Sequence, residues 1–225
     1  MRALADEIEA VLLDMDGLLF DTERLFFQAM QEVGRDAGRE VPETLYRRMI
    51  GHVRDRNLEQ LREHYGTDFP AEEFLEQCQG QMAVLLEDGL RLKPGVTELL
   101  DRLDQLRLPR ALVTSSARES VDHLLAAFDL AGRFDAVVAY GDYRYGKPHP
   151  EPYLRAAGKL GVEPARCLAL EDSHNGVRSA AGAGARTIMV PDLLEATDEM
   201  RRLCAAVLPD LHAVTALLQG RSPLS

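Results

Sequence analysis

The chain has little cysteine, a deficit of positive charge and no long apolar run, and each shortage excludes a class of protein. Its three cysteines, Cys78, Cys167 and Cys204, are odd in number, widely spaced and without a CxxC pair. That excludes a disulfide frame and a zinc site of the usual ligand spacing, and it points to a reduced, cytoplasmic protein. The 26 Lys+Arg are outnumbered by 37 Asp+Glu, for a net charge of −11. A nucleic-acid sheath needs a basic stripe to displace counterions from phosphates, so no nucleic-acid partner is expected. No run of about 18 apolar residues occurs, so no helical membrane span is expected either. The start, MRALADEIEA, carries Asp6, Glu7 and Glu9 before an apolar run, which is not how a cleaved signal peptide reads. No repeat or low-complexity stretch is present. What the 225 residues do have is 46% hydrophobic and 28% charged composition, enough for a sizeable core and outside the disordered and collagen-like classes.

Short continuous apolar runs recur at 10–13 (AVLL), 110–114 (RALVT), 136–139 (AVVA), 167–170 (CLAL) and 187–190 (TIMV). Such runs fit strands buried on both faces. Segments of helical spacing lie between them, at 96–106, 119–128, 151–160 and 176–183, and this alternation predicts βαβ units and a parallel sheet. Residues from about 22 to 90 break the rhythm. They carry apolar residues at helical intervals (Leu25, Phe26, Met30, Val33; Leu45, Met49; Leu58, Leu61; Phe74, Leu75) and no convincing strand. The expected architecture is α/β: a Rossmann-like parallel-sheet core from 1–20 and 91–225, with a small helical domain of 21–90 inserted after the first strand.

Four clusters could carry chemistry. Asp14 and Asp16 leave the first apolar run as DMDG. Open α/β sheets bind ligands at the carboxyl ends of their strands, and residues two apart on an extended chain face one side. Two such carboxylates resist ionising together, so one can be a nucleophile while the other carries a proton; the alternative is a strand-end turn with solvated acids. Thr114, Ser115 and Ser116 follow the second run and precede a helix, suiting either a bound anion or an ordinary N-cap. Lys147, between Gly146 and Pro148 in YGKPHPEPY, is not placed as a solvated helix-surface lysine, and a fixed ammonium suits a phosphate or a carboxylate. His149 is given no role. Glu171 and Asp172 end another run. If the two strands are parallel neighbours, four carboxylates meet at one rim, a site for a hard divalent cation. His174 and Asn175 are read as helix entry. Gly182-Ala183-Gly184 is read as a helix stop, because a dinucleotide-binding glycine motif must follow a strand and open a helix.

In this order, with a helical insert after the first, DMDG, VTSS, GKP and EDS resemble the haloacid dehalogenase superfamily of phosphotransferases. The resemblance is to the helical-cap branch that includes beta-phosphoglucomutase and small sugar or metabolite phosphatases. It implies that Asp14 is a nucleophile forming an aspartyl-phosphate and Asp16 the general acid/base. It further implies that Thr114, Lys147 and the backbone around Ser115 bind the transferring phosphoryl group. Mg²⁺ would be held by Asp14, the carbonyl of Asp16 and Asp172, with Glu171 nearby as an additional ligand or as a carboxylate behind the ligands. The cap would close over the site and choose the substrate, through hinges near 20–22 and 90–95. The namesake dehalogenases lack the second aspartate, so Asp16 implies phosphate chemistry. A mutase of this branch carries a cap-entry histidine where this chain has Phe26, which favours a phosphatase. Gly51-His52-Val53-Arg54 resembles a cap loop whose arginine grips a second phosphate; Arg54 fits that role or is a solvated helix-start residue. Glu23 is either a substrate-facing acid or a plain exposed one. The expected activity is Mg²⁺-dependent hydrolysis of a small phosphorylated metabolite, such as a sugar phosphate, by a cytoplasmic monomer with no nucleic-acid or membrane partner. A hexose-phosphate mutase and, from another class, a non-catalytic phosphate- or metal-binding regulator are the alternatives.

Overall fold

The computed structural model describes residues 7–52 and 54–220; Asp6, with the rest of the first six residues, and Val53 lie outside the described residues. Contacts divide the chain into two compact units, one running to Leu19 and resuming at Lys93, the other spanning Phe20–Leu92.

The first strand, β1 (Ala10–Leu13), is buried at every position. The chain then enters the helical unit: α1 (Thr22–Asp36), α2 (Glu43–Met49), α3 (Arg54–Tyr65) and α4 (Ala71–Gly89). Helix α1 buries Leu25, Ala29 and Met30, one stripe at helical spacing, and packs against α4. Arg54 is the first residue of α3 rather than part of a loop. Entry and exit pair with each other, Phe20 opposite Leu92 in an antiparallel bridge, with Asp21 N donating to Arg91 O at 3.0 Å.

The other unit continues with α5 (Val96–Leu106), β2 (Arg110–Ala117), α6 (Arg118–Ala127), β3 (Ala136–Tyr140), α7 (Glu151–Leu160), β4 (Cys167–Glu171), α8 (His174–Gly182), β5 (Arg186–Met189), α9 (Asp198–Leu203), β6 (Ala206–Val207) and α10 (Leu211–Leu218). The six strands form one parallel sheet in the order β3-β2-β1-β4-β5-β6. Helices cover it, so β1 and β4 have no solvated face and read as unbroken apolar runs. Alternation still sorts their side chains. Ala10, Leu12, Ala111, Val113, Val138, Cys167 and Ala169 cluster with Tyr153, Ala156 and Ala157 of α7 and with Ala180 of α8.

Two local expectations change. The run at Thr114–Ser116 continues β2 instead of opening a helix: α6 starts at Arg118, its N-cap is Ala117, and no side chain caps it. The N-cap reading fails because the Thr114 and Ser116 hydroxyls are used on Asp16, leaving the backbone extended. The short edge strand β6 has two residues, too few to show a period. Among the described residues no helix is long and apolar enough to cross a membrane.

Candidate active site

Strand register builds the site. Leu13 pairs with Leu112 of β2 on one side and with Leu170 of β4 on the other. The next residues, Asp14, Val113 and Glu171, therefore emerge level at the carboxyl rim, and Asp14 N adds one more ladder bond to Leu170 O at 3.1 Å. The strand order reverses between β1 and β4, and the crevice at such a reversal is where open α/β sheets bind ligands.

Asp14, Glu171 and Asp172 are buried, and each offers a carboxylate oxygen within 4.8 Å of the others. The Lys147 ammonium lies among them, buried as well. It donates to Asp14 Oδ1, to Glu171 Oε1 at 2.5 Å and to the Val113 carbonyl at 3.0 Å. These contacts use all three of its protons. Burial pulls its pKa down, but Asp14 and Glu171 outweigh burial and hold the ammonium protonated, above the usual lysine range. Burial pushes the Asp14 carboxyl well above the usual carboxylate range; Lys147 opposes that push, while Glu171 and Asp16 add to it. Three buried carboxylates thus stand together with one ammonium, which bonds two of them, an excess of negative charge that a hard divalent cation with oxygen-only ligands would neutralise.

Glu171 is the most heavily bonded side chain of the group. Its Oε1 accepts from Lys147 and, at 2.6 Å, from the Tyr153 hydroxyl. Its Oε2 accepts from Asp172 N at 3.2 Å, Ser173 N at 3.4 Å and Ser173 Oγ at 3.2 Å. Ser173 also caps α8, its hydroxyl accepting from Gly176 N at 3.1 Å. The carboxylate lies directly over Gly176, where a Cβ would sit 1.9 Å from Glu171 Cδ. Gly17 is constrained in the same way: at φ +80° it occupies the left-handed region, and a Cβ there would come within 2.3 Å of Asp172 Oδ2.

Asp16 is half-buried and is oriented by β2. Its Oδ2 accepts from Thr114 Oγ1 at 3.2 Å and from Ser116 Oγ at 2.7 Å, while Ser116 N donates to Thr114 Oγ1 at 3.0 Å. Ser115 points to the exposed side, and the Tyr143 hydroxyl donates to the Thr114 carbonyl at 3.2 Å. None of the cysteines competes as a nucleophile. Burial pushes the Cys78 thiol up to about 12 and the Cys167 and Cys204 thiols up to about 11.

The residues singled out from sequence in this unit therefore converge, Asp14, Lys147, Glu171 and Asp172 as one buried group and Asp16 with Thr114 beside them. His149 is a loop residue whose Nδ1 accepts from Glu151 N at 3.2 Å. His174 and Asn175 are the first two residues of α8. Glu23 and Arg54 belong to the helical unit: the Tyr46 hydroxyl donates to Glu23 Oε2, and exposed Arg54 lies 3.6 Å from Glu76 Oε1. Sequence reasoning passed over Tyr153 and Gly176. Both sit in helices with nothing local to mark them, and only the position of Glu171 gives them meaning.

The profile of the haloacid dehalogenase-like hydrolase family matches residues 8–184. Hexitol phosphatase B of Escherichia coli strain K12 is 36% identical over 217 residues, covering 93% of this chain and 96% of that protein. A phosphorylated carbohydrates phosphatase of Thermotoga maritima is 34% identical over 181 residues, 80% of this chain and 84% of that protein. A crystal structure described as a candidate beta-phosphoglucomutase of Thermotoga maritima superposes with a TM-score of 0.76 at 30% identity, covering 95% of this chain and 98% of that one. A family match over most of the chain, relatives this similar from end to end and the buried acidic group at the strand reversal lead to one conclusion: the chain belongs to the haloacid dehalogenase-like hydrolase family, in its beta-phosphoglucomutase-like branch, and is a phosphatase.

Proposed function

We propose that the protein hydrolyses a small phosphorylated metabolite, a sugar phosphate, through an aspartyl-phosphate on Asp14 and with the help of Mg²⁺. The observation that carries this reading is the sharing of one buried ammonium, Lys147, by Asp14 and Glu171 beside Asp172. That arrangement offers a nucleophilic carboxylate, a fixed positive charge and an uncompensated set of oxygen ligands at one point.

Asp14 attacks phosphorus with a carboxylate oxygen as the bond to the leaving oxygen breaks, and Asp16 gives that oxygen a proton. Asp16 then takes a proton from water, which attacks the same phosphorus, breaks its bond to Asp14 and releases inorganic phosphate. The hydroxyls of Thr114 and Ser116 donate to Asp16 Oδ2 and so orient the carboxylate for this proton transfer. Lys147, Thr114 and the backbone around Ser115 bind the phosphoryl oxygens. Mg²⁺ would be held by Asp14, Asp172 and the Asp16 carbonyl, with Glu171 adjoining, and when bound it neutralises charge on the phosphoryl group. The names of the Escherichia coli and Thermotoga maritima relatives support a phosphorylated carbohydrate as substrate.

A hexose-phosphate mutase is the second reading, favoured by the likeness to the candidate beta-phosphoglucomutase. Phe26, whose ring lies 6.3 Å from that of Tyr46 in the helical unit, speaks against it, because it has no proton to exchange with a sugar hydroxyl. The test is phosphate release from a panel of sugar phosphates and small phosphorylated acids, with and without Mg²⁺, against Asp14→Asn as blank. Metal-dependent release from a few members is expected. Phosphate moved to a new carbon with little set free would overturn hydrolysis in favour of the mutase.

A further inference from the structure

Tyr153 takes no part in the chemistry above, yet its hydroxyl ends in the middle of the site. The side chain is fully buried in the cluster formed by Ala10, Leu12, Val138 and Ala169. Phenylalanine would fill the same ring volume, so packing alone does not account for the phenol. A buried hydroxyl is unfavourable unless it is bonded. This one donates to Glu171 Oε1 at 2.6 Å, the oxygen that Lys147 Nζ reaches at 2.5 Å. The Tyr153 ring also lies beside the ammonium, with Nζ 5.3 Å from its centroid.

We propose that Tyr153 is a positioning residue for phosphoryl transfer: its hydroxyl locks the Glu171 carboxylate, which in turn sets where Lys147 meets Asp14. The inference rests on the roles given to Asp14 and Lys147 above. The terminal torsion of a glutamate is soft and has no sharp minimum of its own. Backbone N–H groups and Ser173 fix Oε2. With Lys147 alone on Oε1, the carboxylate could turn and take the ammonium with it. A second donor on Oε1, from a different helix, removes that freedom. Tyr153 touches no reacting atom and moves no proton.

The test is Tyr153→Phe, made in the wild-type chain and in Glu171→Met. Turnover is read with p-nitrophenyl phosphate, and binding of a phosphoryl mimic with beryllofluoride and Mg²⁺ by fluorine NMR, which needs no turnover. Loss of one hydrogen bond to a charged group predicts a kcat about tenfold lower and beryllofluoride binding about tenfold weaker, with KM within about twofold and near-UV circular dichroism unchanged. In the Glu171→Met chain, which offers no oxygen to the phenol, the same substitution should change neither quantity, since Tyr153 acts through Glu171. Wild-type kcat and affinity in Tyr153→Phe would overturn the proposal, as would an equal loss in both backgrounds. A wild-type chain that hydrolyses no phosphate ester but binds beryllofluoride in a Tyr153-dependent way would refute the proposed function and leave this inference standing. A wild-type chain that binds none overturns both.

Discussion

Gly176→Ala tests the site through a residue that carries no functional group. In an ordinary helix this change is stabilising by about 0.5–1 kcal/mol, since alanine loses less backbone entropy on folding. Gly176 lies inside α8 with nothing in its backbone that demands glycine. The added Cβ, however, would fall 1.9 Å from Glu171 Cδ and 2.0 Å from both carboxylate oxygens. Glu171 cannot drift aside as a surface side chain would, because Lys147, Tyr153, Asp172 N and both donors of Ser173 hold it. Either α8 moves off the sheet or the carboxylate leaves the ammonium. Breaking one partner from a buried pair costs about 3–5 kcal/mol, so the net destabilisation expected is about 2–4 kcal/mol after the helix gain is subtracted. The assay is urea denaturation followed by circular dichroism, paired with phosphate release. Stability should fall by that amount and turnover by at least about a hundredfold, as Lys147 loses its register with Asp14. A variant as stable as wild type, or more so, with full turnover would show that Glu171 does not lie over Gly176 and would remove the basis of the site's geometry.

Asp14→Asn should abolish phosphate release, because an amide is neither a nucleophile nor an anionic ligand; measurable turnover would end the aspartyl-phosphate route. Asp16→Asn should leave Mn²⁺ affinity, read by electron paramagnetic resonance, within about twofold while slowing turnover by about a hundredfold or more. Ser116→Ala removes a 2.7 Å bond to Asp16 Oδ2 and should lower kcat about three- to tenfold; an unchanged rate would take Ser116 out of the orientation of Asp16. Glu151 accepts from the backbone N–H groups of Arg144 and Tyr145 and pairs with Arg155, and these contacts hold its carboxyl at about 2. Its folded pKa is depressed, so its stabilisation is present above the unfolded value of about 4.3 and fades as pH falls through about 2. Glu151→Gln should therefore be less stable at neutral pH, with a gap to wild type that closes in acid; a gap independent of pH would refute the carboxylate's role in the turn.

Most of the sheet was legible because its strands are covered on both faces: AVLL and CLAL admit no polar residue, and turn or helix signals bound them. Lys147 was legible for a different reason, since a lysine held between glycine and proline has no helix surface to occupy. The run at Thr114–Ser116 was not, because hydroxyls at the end of a strand and hydroxyls that cap a helix look alike locally. What decides between them is Asp16, 98 residues earlier in the chain. Tyr153 and Gly176 stayed hidden in the same way, the one as a core aromatic and the other as a helix glycine. Both become distinctive only against Glu171, a residue whose own five contacts come from a loop, two helix starts and its immediate neighbours. The edge strand Ala206–Val207 is too short to carry a pattern.

The order in which synthesis delivers the partners of Lys147 has a consequence for the newborn protein. Asp14 and Val113 precede the lysine, but Glu171 follows it by 24 residues. Until β4 has emerged and paired with β1, the ammonium has two of its three acceptors, and an incompletely satisfied charge prefers water to the interior. The ammonium therefore gains its full set of acceptors only once Glu171 is in place. A chain that ends before β4 holds Asp14 and Lys147 but not Glu171, and is expected to release no phosphate from phosphate esters.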